Sequence, residues 1–228
     1  MRLIFLLMDS LNRSALGAYN GTIETPNFDR LEARSVTFDR HYVGSLPCIP
    51  ARRDIQTGRA SFFHRSWGPM EPYDQSVCQL LRQSGVYSHL ITDHFHYFQN
   101  GGSGYHTQYD SWDFVRGQEY DTWKAIVQPP LDRFASEYDQ RHYDAGKKKM
   151  RVQHMVNRLY EKTRTTFQRR AVLHLHSNFF RPTRTQTIGC CNWNYLTLMS
   201  HSMLQSAFAA RVIAPGKVAF SIGRTMCP

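Results

Sequence analysis

The sequence predicts an α/β fold with a mostly parallel sheet, and two stretches carry that prediction. Leu3 to Met8, LIFLLM, is apolar at every position, which is typical of a strand buried on both faces at the centre of a parallel sheet. Ser76 to Ser84 has apolar residues at helical spacing, Gly85 ends that helix, and Val86 to Thr92 follows as a strand. A helix, a glycine and a strand in this order indicate βαβ units, which define the α/β class.

Two further helices are predicted between these strands. Pro26 lies in the first turn of the segment NFDRLEARS, where proline is well tolerated, so a short helix begins there. Val36 to Val43 is predicted to be extended. After Pro50 the run ARRDIQTG contains no helix breaker before Gly58, so it forms a second helix. The N-terminus of that helix lies beside Cys48.

Charge divides the chain near Glu161. Up to that residue 19 Lys and Arg are nearly balanced by 18 Asp and Glu, whereas residues 162–228 contain nine basic residues and no acidic one. We therefore predict a domain over 1–161, which ends in a helix from Gly146 to Tyr160, and a separate tail over 162–228. Two interpretations of the tail stay open: a frame-shifted, poorly ordered product, or a basic extension that binds polyanions through arginine and aromatic residues.

Composition restricts the class of protein. The apolar run at Leu3 to Met8 is too short to span a bilayer, and Asp9 follows it where a signal peptide would have small residues. We therefore expect no membrane partner. The five cysteines are odd in number and unevenly spread, which favours free thiols in a reducing compartment, so the cytoplasm is the expected location.

Positive charge surrounds Cys48. Arg52 and Arg53 follow it within one helical turn, and helix N-terminal amides attract negative charge. Such a place can bind a phosphate or a sulfate. The alternative is that Cys48 is a small buried residue and the arginines form a solvated helix face.

The motif around Cys48 resembles the signature of the sulfatases. Cys48-Ile49-Pro50-Ala51-Arg52 is followed after four residues by Thr57-Gly58, and the segments MDSLNRSALGAYNG and TPNFDRLEARSVTFDRHYV precede it in the order in which these enzymes begin. The resemblance implies an alkaline-phosphatase-like α/β fold, with helices flanking the sheet. Sulfatases are usually much longer, so it also implies that this fold is truncated here.

The resemblance implies a role for each matching position. The place of Cys48 is that of a cysteine oxidised to formylglycine, whose hydrate attacks the sulfur of a sulfate ester. Arg52 matches the arginine that stabilises this hydrate and the developing charge. Asp9 matches a ligand of a divalent metal, usually Ca²⁺, at a site shared with the residue at position 48. Many members have a second Asp where this chain has Ser10, so Ser10 is a doubtful metal ligand.

A second histidine-rich motif follows the strand that ends at Thr92. Asp93-His94-Phe95-His96 occupies the place where sulfatases carry Gly-Lys-Trp-His. The resemblance implies that His96 is catalytic and that His94, in place of the lysine, binds substrate. Read without the family, the motif favours either a metal site or loop histidines with no special role.

Together these features predict a sulfuric ester hydrolase that is incomplete or inactive as this chain. No Thr-Asp-His-Gly sequence follows residue 161 to supply the remaining metal ligands. The expected partners are a sulfate-ester small molecule or sulfated glycan and a formylglycine-generating maturation enzyme, with no specific nucleic acid. The alternatives are a phosphonate or phosphate ester hydrolase of the same superfamily, and a non-catalytic basic protein that binds polyanions.

Overall fold

The computed structural model of the chain describes residues 2–9, 11–102, 104–117, 119–139, 148–160 and 194–202. These residues form two compact units. The first contains the described residues within Met1–Thr92, His96–Asp113 and Thr187–Pro228, and the second contains those within Asp93–Phe95 and Phe114–Gln186. The predicted division at residue 161 stays a prediction, because residues 161–193 lie outside the described ranges.

One parallel sheet organises the first unit. Its strands are β1 (Arg2–Asp9), β2 (Val86–Thr92), β3 (Ser111–Phe114) and β4 (Asn194–Ser202), in the order β1-β4-β2-β3. β4 pairs in parallel with both β1 and β2, so that Leu198 is opposite Phe5 on one side and Leu90 on the other. The fold is therefore α/β with a small parallel sheet, as predicted.

Two features of the sheet differ from the prediction. β1 is a strand as expected, but it stands first in the described sheet instead of at its centre, and Ile4 on it is 43% exposed. Its apolar composition reflects burial of one face: Leu3, Phe5 and Leu7 pack against the core, since alternate residues of a strand share a face. β4, in the basic tail, was not predicted as a strand.

Five α-helices lie in the described ranges, together with short 3₁₀ segments. They are α1 (Pro26–Glu32), α2 (Cys48–Thr57), α3 (Val77–Gln83), α4 (Leu131–Glu137) and α5 (Lys148–Leu159). The 3₁₀ segments are Arg13–Ala15, Gly17–Tyr19, Ser61–Phe63, Phe95–Tyr97 and His106–Gln108. None of the helices in these ranges has the length and apolar character needed to cross a membrane.

The predicted helix positions are confirmed for α1, α2, α3 and α5. α2 begins at Cys48 itself, so the cysteine is part of the first turn and not only beside it. Gly58 ends α2 with a left-handed φ of 67°, a conformation that favours glycine. The prediction of an extended segment over 36–43 is wrong for most of its length, because the structure has only an isolated β-bridge at Val36 and no strand over 37–43.

The core of the first unit lies between the sheet and the helices α2 and α3. Ile49 of α2, Cys78 of α3 and Leu90 of β2 are fully buried together, and three tyrosines complete this cluster, namely Tyr97, Tyr105 and Tyr109. Cys78 thus packs in the interior. Burial of Ile49 places the first turn of α2 against the core.

Buried polar contacts hold the rest of α2. Arg53 donates two hydrogen bonds to Asp74, from Nε to Oδ2 at 2.9 Å and from Nη2 to Oδ1 at 2.8 Å. Gln56 donates to the Tyr109 hydroxyl at 2.8 Å and accepts from Ser76 Oγ at 2.6 Å. Because Ser76 also caps α3, the two helices are fixed to each other.

The second unit has its own small core. Phe134 of α4 and Met155 and Val156 of α5 are buried together. Asn157 Nδ2 donates to the backbone oxygen of Asp121 at 2.8 Å, and Asp121 accepts from the Gly117 amide at 2.9 Å. These bonds attach α5 to the loop that precedes it.

Candidate active site

Cys48 stands at the N-terminus of α2, close to the end of β1. Pro47 precedes it and provides no side-chain cap, so the first amides of α2 are not satisfied by a capping side chain. The Cys48 side chain is half-buried. Its Sγ and a carboxylate oxygen of Asp9, the last residue of β1, lie within 4.8 Å of each other.

Arg52 follows Cys48 by four positions on α2, so the two side chains share a helix face. Arg52 is only 4% exposed, and its Nη2 donates to Asp9 Oδ2 at 3.2 Å. Burial disfavours its charge, but Tyr97, Asp9 and Cys48 more than offset this and raise the pKa of Arg52 above its ordinary value. The guanidinium therefore stays charged inside the protein.

One donor of Arg52 has no acceptor. Within the described ranges nothing accepts a hydrogen bond from its buried Nε. Leaving such a charged donor unsatisfied is costly, so buried groups of this kind normally have a protein or ligand partner. An anion is the chemical group that would satisfy it.

Tyr97 is a site residue that the sequence analysis missed. It is almost fully buried and lies close enough to Arg52 for the two side chains to interact electrostatically. Burial raises the pKa of its hydroxyl, and the nearby Arg52 charge opposes that rise only in part. The signal available was its place directly after His96, in a 3₁₀ segment that follows β2.

The two predicted histidines have different surroundings. The His96 ring meets the Trp67 ring edge to face, with centroids 4.8 Å apart. His94 belongs to the second unit, where it is buried and its Nδ1 lies 3.1 Å from Glu119 Oε1. Their predicted catalytic and substrate-binding roles stay predictions. Ser10, the doubtful ligand, lies outside the described residues.

The donors near Cys48 fit a calcium ion only in part. Ca²⁺ takes six to eight oxygen ligands, and a thiol sulfur is a poor ligand for such a hard cation. In the first unit, as far as the structure describes it, Asp9 supplies carboxylate oxygens beside Cys48. This falls short of a complete calcium shell.

Comparison with known proteins assigns the chain to a family. The family model "Sulfatase" matches residues 2–178. Human arylsulfatase D is 26% identical over a stretch that covers 45% of this chain and 22% of that protein. N-acetylglucosamine-6-O-sulfatase of Bacteroides thetaiotaomicron is 30% identical, covering 51% of this chain and 20% of that protein. The chain thus matches about one fifth of the length of these relatives.

Two solved structures are similar to parts of the chain. One is a protein in complex with its substrate D-glucosamine-2-N,6-O-disulfate, with 27% identity and a TM-score of 0.40 over 49% of this chain and 22% of that one. The other is the phosphonate monoester hydrolase of Agrobacterium radiobacter, with 14% identity and a TM-score of 0.49 over 87% of this chain and 40% of that one.

Proposed function

Because the chain belongs to the sulfatase family, we propose that it is a sulfuric ester hydrolase whose nucleophile is a formylglycine made from Cys48. The observation that carries this proposal is the buried Arg52, which shares a helix face with Cys48 and has a donor, Nε, with no acceptor in the described residues. A tetrahedral oxyanion bound there would complete the hydrogen bonding of Arg52 and lie close to residue 48.

The chemistry divides between residue 48 and the groups around it. A formylglycine hydrate at position 48 would supply the hydroxyl that attacks sulfur. Arg52 would bind an equatorial oxygen of the sulfate through Nε while Nη2 stays on Asp9. Its burial strengthens this electrostatic contact, because water screens charges less in the interior. Tyr97, whose interaction helps to raise the pKa of Arg52, would help to keep the guanidinium charged.

The histidines would act on the substrate from the loop after β2. We propose that His96 gives a proton to the leaving oxygen, a step for which histidine is well suited near neutral pH. His94 would contact the sulfate. Asp9 would hold a divalent ion such as Ca²⁺ together with position 48, although the full shell needs more oxygens than the described residues of this unit provide.

The proposed substrate is a sulfate ester carried by a small molecule or a sugar. One relative, by its name, removes 6-O-sulfate from N-acetylglucosamine, which supports a sulfated sugar as the class to test first. A formylglycine-generating enzyme is the proposed maturation partner. Because the matched relatives are about five times longer than the matched stretch, activity of this chain alone is part of the proposal.

The test measures release of sulfate from N-acetylglucosamine 6-O-sulfate, together with hydrolysis of 4-nitrophenyl sulfate, after co-expression with a maturation enzyme, and mass spectrometry confirms conversion of Cys48. We expect turnover that Cys48→Ala abolishes. Arg52→Lys keeps the charge but loses the fork of donors, so kcat/KM should fall by about 10²- to 10³-fold. Arg133→Lys, on the exposed Arg133–Glu137 pair, is the matched control and should not change activity.

Two results would contradict the proposal. Full conversion of Cys48 without turnover of either the sugar sulfate or the aryl sulfate would overturn the proposal for this chain. Turnover of a phenyl phosphonate ester in place of the sulfate would instead identify a phosphonate hydrolase, which needs the same oxyanion contacts. If Arg52→Lys is as active as the unchanged protein, Arg52 does not contribute to the reaction.

A further inference from the structure

Glu119, in the second unit, holds the ring of His94 with one carboxylate oxygen. His94 Nδ1 lies 3.1 Å from Glu119 Oε1, and the His94 and Glu119 side chains are 3% and 17% exposed. An ionised carboxylate only accepts hydrogen bonds, so the ring must donate from Nδ1. This contact therefore determines which ring nitrogen carries a hydrogen.

The other carboxylate oxygen is also engaged. The Phe95 amide donates to Glu119 Oε2 at 3.2 Å. Glu119 thus bonds to the side chain of one residue and the backbone of the next, which fixes the ring of His94 relative to its own main chain. Both oxygens need to be acceptors for this arrangement to form.

Glu119 is itself held in place. His154 of α5 donates from Nδ1 to the Glu119 carbonyl oxygen at 2.9 Å, because a carbonyl can only accept. Next to it, the rings of Tyr120 and Phe95 meet edge to face with centroids 5.6 Å apart. Glu119 is therefore fixed on both its backbone and its side chain.

We propose that Glu119 is a positioning residue that keeps hydrogen on Nδ1 of His94, so that any contact of this ring with substrate is made through Nε2. The part that concerns substrate rests on the proposed sulfatase function. The part that concerns the ring does not, because it follows from the two contacts of Glu119. Carboxylates that orient a metal-binding histidine commonly change activity about 10- to 100-fold when they are removed, and we expect an effect of this size here.

Glu119→Gln tests this because it replaces one acceptor oxygen of the carboxylate with an NH₂ group, which donates. The Phe95 amide still needs an acceptor, so the new amide oxygen faces Phe95 and its NH₂ group faces His94. Nδ1 must then accept, and the hydrogen moves to Nε2. Glu137→Gln, at an exposed carboxylate of the same unit that pairs with Arg133 one helical turn away, is the matched control.

The readout is ¹⁵N–¹H correlation of the imidazole of His94 in the full chain, assigned with His94→Gln and recorded at the highest pH at which the protein stays folded. We expect Nδ1–H in the unchanged protein and in Glu137→Gln, and Nε2–H in Glu119→Gln. If Nδ1 of His94 carries no hydrogen in the unchanged protein, the proposal is overturned, even if Glu119→Gln fails to fold. An unaltered ring in a folded Glu119→Gln would overturn it as well.

Hydrolysis of 4-nitrophenyl sulfate separates the two parts of the inference. A fall in kcat/KM of about 10- to 100-fold in Glu119→Gln, partly restored by Glu119→Asp, supports positioning for the reaction. A reversed tautomer with unchanged kcat/KM would overturn the link to substrate. If the unchanged protein is inactive, the sulfatase proposal fails, while the imidazole spectrum still decides whether Glu119 sets the ring.

Discussion

Arg52 shows how a single buried cation can be both structural and chemical. Its contact with Asp9 joins α2 to the end of β1 at 3.2 Å, and its remaining donor, Nε, is the feature that argues for an anion. The sequence could place Cys48, Arg52 and Asp9 in one site only through the resemblance of their motifs. Spacing within α2 predicts that Cys48 and Arg52 share a face, but nothing local predicts that Asp9, 43 positions away, meets them.

Tyr97 and Glu119 mark the limit of sequence reasoning at this scale. Tyr97 is one of 12 tyrosines, and its contact with Arg52 depends on how the chain turns after β2. Glu119 lies 25 positions beyond His94, without regular spacing that would connect them. Contacts of this kind come from tertiary packing, so they are visible only in the structure.

His89 gives a residue-scale prediction about pH. It is buried on β2, with Nδ1 2.6 Å from Ser111 Oγ and Nε2 3.3 Å from Asp113 Oδ2. Burial lowers its pKa below the ordinary value, and the attraction of Asp113 offsets this only in part. The folded protein thus favours neutral His89, while the unfolded chain takes up a proton near pH 6.5.

Stability should therefore decrease as pH falls through about 6.5 toward the lower pKa of folded His89, since the unfolded state then binds more protons. Urea unfolding about one pH unit above and about one pH unit below 6.5 measures this contribution when the unchanged protein is compared with His89→Gln. We expect a smaller loss on acidification in His89→Gln. An equal loss in both proteins would show that His89 does not contribute.

At the scale of elements, α2 is the part that presents the site, and its orientation depends on buried polar contacts. The Arg53–Asp74 pair is almost completely buried, with side chains 2% and 4% exposed. Burial opposes ionisation of Asp74, but hydrogen bonds from Arg53 and from the Glu71 amide outweigh it and lower the pKa of Asp74. The pair is therefore charged, and two nitrogens of Arg53 donate to Asp74.

Asp74→Ala should reduce the free energy of unfolding by about 3–5 kcal/mol, because it leaves the buried Arg53 without its partner. The matched control is Glu137→Ala, which breaks an exposed pair on α4 and should cost at most about 1 kcal/mol. Denaturant unfolding followed by circular dichroism measures both. Equal losses in the two variants would mean that the Arg53–Asp74 contact contributes no more than a surface pair.

The elements that sequence predicted well are those with a strong local signal. α3 has apolar residues at helical spacing, a capping box at Ser76 and Gly85 after it, so its position could be read directly. β3 has four residues, too few for a period to be recognised. β4 has a weak local signal: Leu196 and Leu198 lie on either side of Thr197, but Met199 follows directly and breaks the alternation.

At the scale of the whole molecule, the sheet depends on the strand that comes last in the chain. β4 lies between β1 and β2 and supplies the ladder for both. β1 is separated from β2 by 76 residues between Asp9 and Val86, and β4 comes more than 100 residues after β2. The sheet therefore consists of long-range pairings throughout.

Leu198→Pro tests this arrangement, since proline cannot donate to a ladder and is poorly tolerated in a strand paired on both sides. We expect amides of both β1 and β2 to exchange with deuterium faster than in the unchanged protein. Leu198→Ala, which keeps the backbone donor at the same position, is the control and should retain more protection. Protection of β1 and β2 that is identical in all three proteins would show that β4 does not pair with them.

The placement of β4 also has a consequence for synthesis. On the ribosome β1 and β2 emerge well before β4, the strand that lies between them in the finished sheet. More than 100 residues must be translated after β2 before β4 is available to either strand. At about 5–20 residues per second this interval lasts several seconds. Throughout it the apolar strand Leu3 to Met8 has exposed main-chain groups, which can pair with the wrong partner until β4 is available.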